Sequence, residues 1–137
     1  MSKRSYDLLQ ENLPPYLSDL MVEHLGGAAW PVAAIPAVIE AARAASLVSL
    51  GGDLQINSPG GLWESPNVGV RVFPQDRSTA NAPADSAAAV ALSKFMALGG
   101  EAVFLEEAMA GWPGAHSAGA DLGKQLFFSW VVEIGID

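Results

Sequence analysis

Between Leu126 and Ile136 the chain places Leu126, Phe128, Trp130, Val132, Ile134 and Ile136 at every second position. Successive side chains of a strand point to opposite faces, so this period of two predicts a β-strand with one deeply buried face. Phe127, Ser129, Val131, Glu133 and Gly135 fall on its other side. A sheet of this kind needs a covering layer, and the rest of the chain reads as helices able to supply it.

Ser5 to Leu13 reads as a short helix with Ser5 as its N-cap, stopped by Pro14-Pro15. Leu17, Leu20, Met21 and Leu25 recur at helical spacing and predict a second helix over 16–25, ended by Gly26-Gly27. A connection over 28–35 leads to Pro36, which suits the first turn of a helix running to about Ser49. Asp53 to Asn57 alternates as a half-buried strand, Ser58-Pro59-Gly60-Gly61 is turn chemistry, and Leu62-Trp63-Glu64 continues a hairpin. Pro66 ends that pairing or puts it on an edge, and Val68, Val70 and Val72 mark a further strand. A polar linker over 74–84 precedes a helix capped by Asp85 or Ser86, with Val90, Leu92, Phe95, Met96 and Leu98 as packing residues. Residues 101–109 suit either strand or helix, and analogy with the first half selects strand.

That analogy comes from a near-repeat. Leu50-Gly51-Gly52-Asp53 returns as Leu98-Gly99-Gly100-Glu101, each after an alanine-rich run. Glycine pairs in this place are helix stops. The expectation is a single α+β domain over 1–137, a two-layer sandwich. Its mostly antiparallel sheet of about four strands has helices on one face. An N-terminal helical segment (5–27) precedes two related helix–strand–strand halves (28–73 and 85–137), joined by the linker.

Composition narrows the function. Fifteen acidic against seven basic residues give a net charge of −8. Such a surface repels phosphate backbones and anionic lipid headgroups, so nucleic acid and membrane are not the expected partners. It attracts a basic protein, mainly by speeding encounter. No cysteine is present, so no disulfide or thiolate site exists, and a reducing cytoplasm suits the chain. The N-terminal stretch lacks the apolar segment of a signal peptide.

No catalytic, metal or cofactor motif stands out. The glycine pairs fit neither GxGxxG nor GxxxxGK[ST]. His24 and His116, the two histidines, form no HxxxH or HxH pair. The candidate binding residues are loop aromatics and strand-start carboxylates: Trp63, Glu64, Trp112, Glu101, Asp53 and His116. Tryptophan is enriched at binding hot spots, and Asp53 and Glu101 would share a groove if the halves were related by a pseudo-twofold axis. The loop at 110–123, holding Trp112 and His116, is the longest small-residue stretch. These features favour a small acidic protein-interaction module. By charge and size, an immunity- or antitoxin-like inhibitor of a basic enzyme is one apt form. The alternatives are a small-molecule binder or enzyme with its site between the halves, and a structural subunit of a homo-oligomer.

Overall fold

The structure, a computed structural model, describes residues 4–24, 27–58, 61–76, 82–112, 114–115 and 122–134. Helix α1 (Ser5–Asn12) and the single turn α2 (Pro15–Ser18) come first, divided by the two prolines as expected. Strands β1 (Val22–His24) and β2 (Gly27–Pro31) follow, then a 3-10 turn and helix α3 (Ile35–Ala44). Strands β3 (Leu47–Ser58) and β4 (Gly61–Arg71) form a long hairpin. Helices α4 (Pro83–Ala97) and α5 (Glu101–Gly111) and the short α6 (Leu122–Gln125) lead into β5 (Leu126–Ile134). All described strand pairs are antiparallel, in the order β1-β2-β5-β3-β4. The fold is therefore α+β, with five described strands where about four were expected.

The alternation in β5 sets the core. Leu126, Phe128, Trp130 and Val132 are buried, while Ile134, at the strand's end, is exposed. Phe95 of α4 and Phe104 of α5 close on Phe128, with ring centroids 5.1 and 6.0 Å away. Trp30 of β2 lies beside Phe128 in the sheet and donates its Nε1–H to the Leu17 carbonyl at 2.8 Å. These contacts place α2, α4 and α5 on one face of the sheet. Full burial of a side chain such as Phe128 contributes roughly 1.5–3 kcal/mol.

Several expectations are corrected. The helix expected over 16–25 ends at Ser18, and Val22 pairs with Ala29 in a hairpin instead. Its supposed apolar stripe is not a packing face: Leu17 is buried but Leu20 is exposed. Gly27 opens a strand rather than capping a helix. The connection expected over 28–35 holds β2, with Trp30 fully buried. Helix α3 ends at Ala44, five residues short of expectation, where Ser46 takes a left-handed conformation (φ 61°). Ser5 does not cap α1; its Oγ accepts a hydrogen bond from the Val132 amide at 2.9 Å. Ala82 and Pro83, not Asp85 or Ser86, start α4, because proline at the first position has no amide to satisfy.

The repeat does not survive as structure. Gly51-Gly52 lies within β3, where a bulge brings its backbone against both neighbouring strands. A Cβ on Gly51 would sit 2.0 Å from the Val70 carbonyl oxygen, and one on Gly52 would sit 1.7 Å from that of Ser129. Gly99-Gly100 instead joins α4 to α5 across a 67° bend, with φ of 103° and 85°. Residues 101–109 are helix, not strand, as the propensities of Ala, Leu, Glu and Met allow. The second half is thus helix–helix–strand, and its β5 lies between β2 and β3 of the first half. The two halves are thus interleaved in one sheet.

The hairpin and the valine strand behave as expected. Asn57 pairs with Leu62 across the turn, and Val68, Val70 and Val72 are buried. Around Pro66 the pairing jumps from Gln55–Glu64 to Asp53–Gly69. The residues between form a bulge in β4, held by Ser65 Oγ, which accepts from the Asn67 and Val68 amides. Among the described residues no single helix is long and apolar enough to cross a membrane.

Candidate binding face

The helices cover one face of the sheet, and the register assigns the opposite face to every second residue. Ala29 pairs with Ser129, Gly69 with Asp53, and Gly51 with both Arg71 and Val131. A depression of about 290 Å³ opens there, lined by Leu50, Gly51, Gly52, Asp53, Arg71, Ser129 and Val131. Small residues make it. The absence of side chains at Gly51 and Gly52 lets the strands approach, and Ser129 fills little space beside them.

Asp53 and Arg71 hold its wall. Arg71 donates through Nη2 to Asp53 Oδ1 at 2.8 Å, and through Nη1 to the carbonyls of Gly52 (3.1 Å) and Val70 (2.9 Å). The Asp53 amide donates to Ser129 Oγ at 2.9 Å. The pair is partly exposed, so its value lies in fixing the geometry rather than in stability. Glu64 lies further along the same face, where Oε2 accepts from Gln55 Nε2 at 3.1 Å. Gln55 is buried, and its Oε1 has no hydrogen-bond partner.

The other expected site residues go elsewhere. Trp63 pairs with Ile56 on the helix side of the sheet, opposite to Glu64. It is half-buried against the C-terminal end of α5, so close that a Cβ on Gly111 would lie 2.7 Å from its ring. Trp112 follows at the end of α5, also half-buried against the core. The two tryptophans meet the same helix end, but as packing against it. Glu101 is exposed at the start of α5, in the helical layer, so it shares no groove with Asp53. His116 lies outside the described residues. Among those described, no group of three or more His, Cys, Asp or Glu side chains is placed to hold a metal ion.

A second depression, of about 330 Å³, lies where α3 ends and α4 begins. Its cation is occupied: Arg43 pairs with Glu40 and with Asp85, the latter at 3.2 Å. The hydrogen bond from Arg43 holds the Glu40 carboxyl below the usual range.

Sequence reasoning passed over Phe127, Ser129 and Val131. The signal was present: an antiparallel sheet with one solvated face reads apolar-in and polar-out. The outward positions of β5 instead read Phe127, Ser129, Val131, Glu133. No protein-family model, curated protein or solved structure matches this chain.

Proposed function

We propose that the chain is a protein-interaction module whose open sheet face receives a basic partner. One observation carries the reading: the central strand turns Phe127 and Val131 outward, with Val131 41% exposed. An apolar centre with Asp53, Glu64 and Glu133 around it has the layout of an interface, with an apolar core and a polar rim. The net charge of −8 speeds encounter with a basic surface. An inhibitor of a basic enzyme, acting as immunity or antitoxin proteins do, fits that size and charge. Immobilised wild-type chain and a Val131→Arg variant test this by protein capture at low and high salt. Basic proteins retained by the wild type, and lost with Val131→Arg or high salt, support the proposal. Retention unchanged by the variant rejects it.

A further inference from the structure

We infer that the open sheet face holds a subsite for an arginine side chain of the partner, with Gln55 as its floor and Glu64 and Phe127 as its flanks. The inference rests on the reading of that face as the seat of a basic protein. Gln55 pairs with Glu64 of β4 on one side and with Phe127 of β5 on the other. Side chains at paired positions of adjacent strands share a face, so the three stand in a row across the sheet. Gln55 is only 6% exposed, although it belongs to the face that the helices leave open.

The orientation of its amide is fixed by its neighbour. An ionised carboxylate only accepts, so the Gln55 NH2 group turns to Glu64 Oε2, at 3.1 Å. Oε1 is then the end without a donor, enclosed one amide width from that carboxylate. A buried acceptor with no donor is rare in a folded chain. Glu64 itself is exposed, and Gln55 is its sole hydrogen-bond partner among the described residues. Its side chain can therefore swing outward and uncover the amide to an incoming group.

Chemistry selects the occupant. The incoming group must donate to a neutral oxygen and to a carboxylate, so it carries at least two N–H bonds and a positive charge. Asp53 is already matched by Arg71 at 2.8 Å, whereas no described cation pairs with Glu64. Lysine and arginine both meet these demands. The planar guanidinium adds two donors in fixed geometry and a flat face for the Phe127 ring, which an ammonium lacks. An internal water would satisfy Oε1 alone, and is one outcome of the test.

Calorimetric titration of the full chain with hexa-arginine and with hexa-lysine tests the subsite. The wild type is expected to bind hexa-arginine the more tightly. Gln55→Leu, which keeps the bulk of the side chain, and Glu64→Gln, at an exposed position, should each raise the Kd for hexa-arginine about tenfold or more, the effect of one charge-assisted hydrogen bond. Phe127→Leu removes the ring from a half-buried position and gives the same reading should Gln55→Leu fail to fold. Glu101→Gln removes the same charge on the helical side and should leave both Kd values near those of the wild type. Equal affinity for the two peptides overturns the inference. So does a loss in Glu101→Gln equal to that in Glu64→Gln, which would reduce the binding to net charge. A Gln55→Leu variant that binds hexa-arginine as the wild type does assigns Oε1 to an internal water and also overturns it. Failure of the wider reading is distinguishable. Capture of basic proteins that Val131→Arg abolishes, but Gln55→Leu and Glu64→Gln leave intact, upholds the open face as a partner's seat and overturns the subsite. A hexa-arginine preference that both variants lose, in a chain that captures no protein, upholds the subsite and rejects only the wider reading.

Discussion

Trp130 Nε1 donates to Ser49 Oγ at 3.1 Å inside the core, a side-chain link between β5 and β3 one residue before β3 bulges. Both residues are buried. Ser49→Ala removes the acceptor and leaves an indole N–H without a partner, at a cost of about 1–3 kcal/mol. Urea denaturation should show the midpoint falling with the slope unchanged. An unaltered midpoint would mean that the indole finds another acceptor.

The glycines of the former repeat should now behave differently from one another. Gly51→Ala and Gly52→Ala drive a Cβ into backbone oxygens of β4 and β5, which cannot move without breaking the ladder. Gly100 has a positive φ, but open space where a Cβ would go. Gly100→Ala should cost about 1–3 kcal/mol of backbone strain and still fold. The two β3 variants should cost more, and fail to accumulate as folded protein. Circular dichroism and yield of the three variants give the order.

Helix α5 buries only Phe104 and Ala108, and one carboxylate ties it to β4. Glu107 Oε1 accepts from Ser65 Oγ and Asn67 Nδ2, both at 3.1 Å. Glu107→Ala should raise amide exchange across residues 101–111 while exchange in β3 and β5 stays as in the wild type. Equal acceleration in all three segments would show that the clasp supports the whole fold rather than this helix.

Asp76 accepts from the Phe73 amide at 2.9 Å and from Lys94 Nζ at 3.1 Å. The backbone bond first, and Lys94 second, hold its carboxyl below the usual aspartate range. A depressed folded value means that the stabilisation is complete above the unfolded value of about 3.9, and is lost as pH falls through the lower folded one. Asp76→Asn should therefore lower the melting temperature at pH 7, with the gap to wild type narrowing below about pH 4. A gap that stays constant to pH 2.5 would remove Asp76 from the acid response.

The strands with strict alternation and the proline breaks were legible because each rests on a local rule. Residues 126–134, the hairpin that pairs Ser58 with Gly61 and the edge placement around Pro66 are of this kind. What was not legible depended on distant backbone. Gly51-Gly52 carries the same letters as a helix stop, and only the approach of Val70 and Ser129 shows why glycine is needed. The search for large packing residues found Phe95 on α4 but missed the alanines that form most of its buried face, and Leu92 and Met96 lie on its outer one. Of the expected site, Asp53 and Glu64 share the open face, whereas Trp63, Trp112 and Glu101 belong to the helical side. Adjacent residues 63 and 64 separate because a strand sends them to opposite faces.

The position of β5 between β2 and β3 bears on synthesis. As the ribosome delivers the chain, β2 and β3 each emerge with an open ladder edge and no partner for it. The strand that joins them comes after more than 65 further residues, and Ser5 of α1 accepts its bond from the Val132 amide at the same late moment. Until then the nascent chain has two separate hairpins and unroofed aromatic residues, a state open to chaperone capture and to mispairing. Folding of this protein is therefore expected to wait for residues 126–134 to clear the exit, with both central strand pairings completed in one late step.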